Sequence, residues 1–220
     1  MWLDRLKIIT DTEKFNNITV AIIGLGGVGG HAVESICRIG IDNIILVDND
    51  VINITNLNRQ LISLNSNINK LKTKEFKKRI LNINKNCNVK LLNIFLEENN
   101  KELLFKNKID YIIDACDTVN TKIMLIRECK KRKIKLISCM GTGFRFDPTK
   151  LEILDISKTS YDPLAKKIRM LLKKENIKQK VVCSKEKPIT KSKVIGSNSI
   201  VPASAGILCA SYVINDIRNK

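Results

Sequence analysis

Histidine is almost missing from this sequence. His31 is the only one, so a histidine-built metal site is excluded, and no zinc site is readable elsewhere. The seven cysteines, Cys37, Cys87, Cys116, Cys129, Cys139, Cys183 and Cys209, form no C-x-x-C pair and lie in apolar segments, as core residues do. Aromatic residues make up 5% of the chain, too few to announce a base-stacking surface. The opening "MWLDRLKIIT" carries Asp4 among its early charges and lacks a long apolar run. It therefore does not read as a secretory signal, and the cytoplasm is the expected compartment. The longest apolar stretch, "SIVPASAGILCASYVI", falls short of the roughly 20 residues of a bilayer span and reads as a buried helix. No internal repeat or low-complexity linker interrupts the chain.

What is plentiful is positive charge. Thirty-nine Lys and Arg stand against 22 Asp and Glu, a net charge of +17, which suits a polyanion such as RNA. Lys, Asn and Ile are all abundant, however, as a biased codon supply would make them. At 220 residues the chain is long enough for one good core. One domain over 1–220 is expected, with a nucleotide-binding core at 1–150 and a substrate-side extension with a C-terminal helix at 151–220.

Runs rich in Ile and Val, bounded by turn residues, predict strands at 18–23, 44–47, 89–94, 111–113 and 136–139. Helical periodicity predicts helices at 32–39, 72–83, 101–105 and 122–132 between them. Such alternation implies right-handed crossovers: an α/β fold with a Rossmann-like, mostly parallel sheet and helices on both faces. After residue 150 come a strand-like "LEILDI", a helix opened by "DP", a lysine-rich stretch at 173–193 and an apolar helix at 203–217. In "DPLAKKIRMLLKKE", Asp162 suits an N-cap and Pro163 the first helical position, where its missing N–H is not needed. Leu164, Ile168, Leu171 and Leu172 then fall on one stripe, leaving Lys166, Lys167, Arg169, Lys173 and Lys174 as a cationic face.

Gly24, Gly26 and Gly29 in "AIIGLGGVGGHAVE" satisfy G-x-G-x-x-G between a strand and a helix, with Gly27 and Gly30 opening the turn further. Without Cβ atoms, backbone amides there meet a phosphate closely. Asp48, ending the next strand, suits ribose hydroxyls. Both features fit NAD and ATP equally. The following "NITNLNRQ" supplies Asn56, Asn58, Arg59 and Gln60, and Lys72 opens a later helix. A dinucleotide's pyrophosphate is already served by the glycine amides, whereas extra fixed cations suit a triphosphate. "IIDACDTVNTK" then offers Asp114 and Asp117 at the carboxyl edge of the sheet, where a carboxylate holds Mg²⁺ against phosphate oxygens. Taken singly, these acids also suit helix caps, and Arg59 and Lys72 surface charges.

Together, "GLGGVGGHAVESICRIGI", "LVDNDVINITNLNRQ", Lys72 and "IIDACDTVNTK" resemble the adenylating domain of the ubiquitin-activating superfamily, of ThiF and MoeB type. "SCMGTGFRFDPTKLEILDISKTSYDPLAKKIR" and "VPASAGILCASYVIND" are similar to its tRNA threonylcarbamoyladenosine dehydratase branch. The resemblance implies that Asp48 holds ribose, that Asn56, Arg59 and Lys72 hold phosphates, and that Asp117 holds Mg²⁺. It also implies a homodimer in which Arg5 reaches the neighbouring protomer's phosphates. The family's further arginine upstream of Arg5 is lacking, Gly30 stands where serine is common, and Lys70 and Leu71 replace small residues before Lys72.

The implied reaction is ATP-dependent loss of water from threonylcarbamoyladenosine beside the anticodon. Its carboxylate is adenylated and the ureido group then closes on the activated carbonyl. Lys158, Lys166, Lys167, Arg169, Lys173 and Lys174 would hold tRNA phosphates. A monovalent-cation requirement and sulfur-relay partners stay open; DNA and a transmembrane segment are not expected. The alternative is adenylation of the C-terminal glycine of a ubiquitin-like carrier. Absence of the paired C-x-x-C zinc motif of such enzymes favours the tRNA branch. His31, Cys183 and Cys209 read as structural.

Overall fold

The computed structural model describes residues 2–190 and 192–220, so Lys191 of the lysine-rich stretch lies outside the described residues. After the short helix α1 (Asp4–Lys7), strands and helices alternate: β1 (Thr19–Ile23), α2 (Gly29–Arg38), β2 (Asn43–Val47), α3 (Lys72–Ile83), β3 (Asn88–Leu92), α4 (Glu102–Phe105), β4 (Tyr111–Asp114), α5 (Val119–Arg132) and β5 (Lys135–Cys139). The chain closes with β6 (Leu151–Asp155), α6 (Pro163–Lys174), β7 (Lys180–Ser184) and α7 (Ile200–Arg218). The strands form one seven-stranded sheet of order β3-β2-β1-β4-β5-β7-β6. It is parallel except at its edge, where β6 runs antiparallel to β7.

An unbroken apolar strand such as "TVAII", buried at every position, is what a sheet covered on both faces requires. On one face Ile36, Phe76 and Cys209, from α2, α3 and α7, pack with Val20, Ile22 and Leu46. On the other, Leu125, Ile168 and Leu172, from α5 and α6, pack with Ala21, Ile23 and Ile112. Chain order reverses between β1 and β4, and the carboxyl ends of those two strands flank the crevice where ligands of open α/β sheets bind.

The expected α/β architecture is present, with differences that have physical causes. Helix α2 begins at Gly29 and α5 at Val119, each earlier than periodicity placed it, because the preceding turns close directly into helix. Strand β7 was not foreseen. Its Val181, Val182 and Cys183 are buried between β5 and β6, but lysines on both flanks hide the short apolar run. In α6, Asp162 accepts from the Ala165 N–H at 2.9 Å and Pro163 follows it, as expected. The buried stripe, though, is Ala165, Ile168 and Leu172, and Leu171 is exposed. Small Ala165 brings the helix close to the sheet and turns the stripe by about one residue.

Helix α7 is long and apolar enough by composition to cross a bilayer; here its Val201, Ala205, Cys209, Ala210 and Val213 are packed into the core beside α2. A Cβ at Gly206 would overlap the Val28 carbonyl oxygen, so the two helices touch backbone to backbone. Gly206→Ala is therefore expected to lower the free energy of unfolding by about 1–3 kcal/mol through overpacking. That loss should appear in urea denaturation even though alanine favours helix by about 1 kcal/mol. Unchanged or raised stability would contradict so close an approach.

Candidate active site

The turn after β1 opens with Gly24 at φ 85°, a left-handed conformation that L side chains avoid. A Cβ there would lie 2.9 Å from the Ala115 carbonyl oxygen, so the turn also abuts the loop leaving β4. The Leu25 N–H donates to Asp48 Oδ2 at 2.6 Å, and Asp48 Oδ1 accepts from the Asp50 N–H at 2.7 Å. Asp48 is thus locked to the turn from the end of β2. Beside Gly27 lie the Arg59 backbone and Pro202 of α7, at 3.3 and 3.1 Å from its Cβ position. The Gln60 amide faces Gly26 at 3.7 Å. Gln60 is 8% exposed, and its Oε1 has no partner among the described residues. A buried acceptor left over beside a glycine turn is a polar group awaiting water or ligand.

The cationic wall is built on a tight local network. Asn56 Oδ1 accepts from the Asn53 N–H at 3.0 Å while Asn53 caps Thr55 in return, which stiffens this segment. Arg59 Nη1 donates to the Thr55 carbonyl at 2.7 Å and to Asn58 Oδ1 at 2.9 Å. Asn58 Nδ2 in turn donates to the Ser197 carbonyl at 3.0 Å. Lys72, the first residue of α3, is 4% exposed. Its Nζ lies 2.8 Å from Asp50 Oδ2, so an exposed carboxylate balances its charge.

Asp114 is not the open carboxylate its position suggested. It is fully buried, with both oxygens 3.0 Å from Lys122 Nζ, and that ammonium donates also to the Cys139 carbonyl at 2.7 Å. Burial by itself would favour neutral Lys122, but the facing Asp114 carboxylate holds its pKa above the ordinary lysine value. The pair ties the carboxyl end of β4 to that of β5. Asp117, by contrast, is exposed, and its Oδ1 accepts from Thr118 Oγ1 at 3.4 Å. Neither acid caps α5, whose N-cap is Thr118.

No group of three or more metal-ligating side chains occurs among the described residues. Mg²⁺ does not need one, since one or two carboxylates plus phosphate oxygens and water suffice. The exposed Asp117 carboxylate, two residues past the Ala115 that abuts Gly24, fits that ion. Gly30, where serine is common, faces the Phe76 ring at 2.8 Å from its Cβ position, so the phenyl group fills that space.

Other predicted residues lie apart from this constellation. Leu3 of the N-terminal segment packs on Gly40, just past the far end of α2, a ten-residue helix about 15 Å long. Arg5 on α1 is therefore not brought to its own chain's glycine turn. Lys158, Lys166, Lys167, Lys173 and Lys174 are exposed and form no ion pair among the described residues. Arg169 departs from that set. Its Nη1 donates to the Thr159 carbonyl at 2.6 Å and to Thr159 Oγ1 at 2.7 Å, so it pins the segment before α6. Burial lowers the pKa of His31, and burial, with Asp162 nearby, pushes the Cys183 thiol up to about 12. The Cys183 thiol is thereby held protonated, without the character of a nucleophile.

Sequence reasoning left Gln60 without a role and missed the partnership of Lys122 with Asp114. The signal was present: an acid ending a buried strand, with a lysine early in the apolar face of the next helix.

The ThiF family profile matches residues 5–218. A curated relative from Bacillus subtilis, named tRNA threonylcarbamoyladenosine dehydratase, is 42% identical over 93% of this chain and 89% of its own length. A relative of the same name from Haemophilus influenzae is 35% identical over 99% of this chain and 92% of its own. The crystal structure of E. coli tRNA N6-threonylcarbamoyladenosine dehydratase, TcdA, in complex with ATP superposes with a TM-score of 0.88 at 32% identity. The match covers 94% of this chain and 88% of that one.

Lys122→Met should leave the Asp114 carboxylate buried without a counter-charge and cost about 3–5 kcal/mol of stability in urea denaturation. Adding Asp114→Asn removes the stranded charge and should restore more than half of the loss. A single variant as stable as the parent would show that the pair is not the tie described.

Proposed function

The chain belongs to the ThiF family, and on that premise we propose that it catalyses the ATP-dependent dehydration of threonylcarbamoyladenosine next to the anticodon of tRNA. The observation that carries this reading is the meeting of the glycine turn with Asp48, the Arg59 segment and the loop that leaves β4 toward the exposed Asp117. Two relatives sharing most of the chain's length bear the dehydratase name, and an ATP complex of the E. coli enzyme shares the fold.

The reaction joins two anions. A substrate carboxylate oxygen attacks the α-phosphorus of ATP and pyrophosphate leaves; the ureido group then attacks the activated carbonyl and AMP leaves. No protein nucleophile is required, which agrees with thiols held protonated by burial. The chain's work is positioning and fixed electrostatics. Glycine-turn amides and Asn56 meet phosphate, Asp48 meets ribose, and Arg59 and Lys72 balance the phosphate charge. Mg²⁺ held by Asp117 would supply further charge neutralisation at the phosphate oxygens. Arg5, remote from its own crevice, serves the neighbouring protomer of a homodimer. The lysines at 158, 166, 167, 173 and 174 hold tRNA phosphates, an interaction that weakens steeply with salt. The cytoplasm, where tRNA is available, is the compartment that suits this activity.

Asp117→Ala should reduce pyrophosphate exchange into ATP by about a hundredfold or more, in line with loss of a major electrostatic contributor. Folding and most tRNA affinity should persist. Reversing Lys166 and Lys167 to Glu should weaken tRNA binding and lower its salt slope while sparing ATP. Equal effects of both changes on ATP would refute this division of roles. Exchange stimulated by a ubiquitin-like carrier and not by modified tRNA would replace the reading with carrier adenylation. A tRNA product lighter by one water would support it.

A further inference from the structure

Two large aromatic rings stand outside the core in segments hydrogen-bonded to residues just past the carboxyl ends of β5 and β7. Tyr161 is 51% exposed and Phe146 62%, in a chain with only three Tyr, six Phe and one Trp. Tyr161 sits at φ 55°, a region that bulky side chains avoid and hold only where their surroundings impose it. The surroundings do impose it. Arg145 is 4% exposed, and its Nη2 donates to the Tyr161 carbonyl at 2.6 Å. The next residue, Asp162, accepts from the N–H groups of Gly141 at 2.7 Å and Ala165 at 2.9 Å.

Phe146 is held as firmly. Its N–H and that of Asp147 each donate to Glu186 Oε2 at 3.0 Å. Asn198 Nδ2 donates to the Arg145 carbonyl at 2.8 Å. Both rings are therefore presented to solvent by a stiff clasp of backbone and buried polar groups.

Cations surround the clasp and its acids are already occupied. Lys187 Nζ lies 5.3 Å from the Tyr161 ring centroid, and exposed Lys166 and Lys167 follow at the start of α6. Asp162 and Glu186 direct their oxygens at N–H groups. The clasp is continuous with the nucleotide site, because the Ser197 carbonyl accepts from Asn58, the neighbour of Arg59. Gly141, on the other flank, closely follows Cys139, whose carbonyl takes Lys122.

We propose that Tyr161 and Phe146 form a stacking surface for unpaired bases of the tRNA anticodon loop, with Lys166, Lys167 and Lys187 taking the adjoining phosphates. This rests on the tRNA reading of the substrate and adds what that reading lacks: how a single-stranded base is held beside the crevice. A face carrying aromatic rings amid lysines that form no ion pair among the described residues fits single-stranded RNA, whose bases offer π surfaces at regular intervals along a charged backbone.

The test is binding of a fluorescently labelled anticodon stem-loop carrying the threonylcarbamoyl group. Tyr161→Leu combined with Phe146→Leu should weaken binding about tenfold or more, the loss expected for base stacking. The slope of log Kd against log salt and the affinity for ATP should not change. Tyr161→Phe should retain affinity. In Tyr161→Trp, the added emission, measured against the parent that carries Trp2, should be quenched by the stem-loop. Unchanged affinity in the double leucine variant, or emission insensitive to RNA, would overturn the inference alone. Loss of self-association with RNA affinity intact would overturn it in favour of an interface between copies. A parent protein without affinity for the stem-loop would overturn both this inference and the tRNA reading.

Discussion

The buried pairing of Asp114 with Lys122 is the contact on which the crevice depends. Strand β4 ends at the reversal of chain order, where no further strand guides its exit. Asp114 receives Lys122 on both oxygens and the Cys116 N–H on Oδ1 at 3.2 Å, while Lys122 reaches over to the Cys139 carbonyl of β5. Apolar residues of similar volume could pack there without loss of stability. They would not specify the direction in which the loop leaves the strand. The charged pair does, and it sends Asp117 outward while Ala115 stays against Gly24. One acid is spent inside the protein so that another, three residues later, is set in place outside it.

Around this point the molecule separates two tasks along one edge of its sheet. The β1, β2 and β4 ends gather the glycine turn, Asp48 and Asp117. The β5 and β7 ends carry the clasp with the exposed rings and lead to the cationic face of α6. Asn58 and Ser197 join the two regions directly, and Pro202 of α7 rests on Gly27. A residue range that follows the nucleotide half in sequence is thus interleaved with it in space, and two of its strands belong to the same sheet.

Much of this was legible in the sequence because the informative signals are local. A buried parallel strand writes itself as an unbroken apolar run, and "DP" before an amphipathic stretch states a helix start, as Asp162 and Pro163 confirm. The glycine turn, Asp48 and the Arg59 segment do adjoin, as their order implied. What was missed depends on how side chains fold back across the turn before a helix, which residue type alone does not show. Asp114 looks open until Lys122 is seen folded back on it, and Arg169 looks like a surface cation until Thr159 accepts from it. Strand β7 hides because its apolar core is shorter than the lysine run that contains it. The rings of Tyr161 and Phe146 gain meaning only from the hydrogen bonds that fix the backbone carrying them.

Lys72 has a further consequence. Its ammonium does not wait bare in the crevice; Asp50, more than half exposed, already neutralises it and fixes its direction. In the proposed role, a phosphate arriving there would not meet an empty cation but would displace a resident anion, free to swing into water. On the proposed reading, nucleotide entry at this position would be an exchange of counter-ions, and departure of pyrophosphate the same exchange run backwards, with Asp50 reclaiming the lysine. A grip built in this way surrenders part of its tightness and in return lets go of its products.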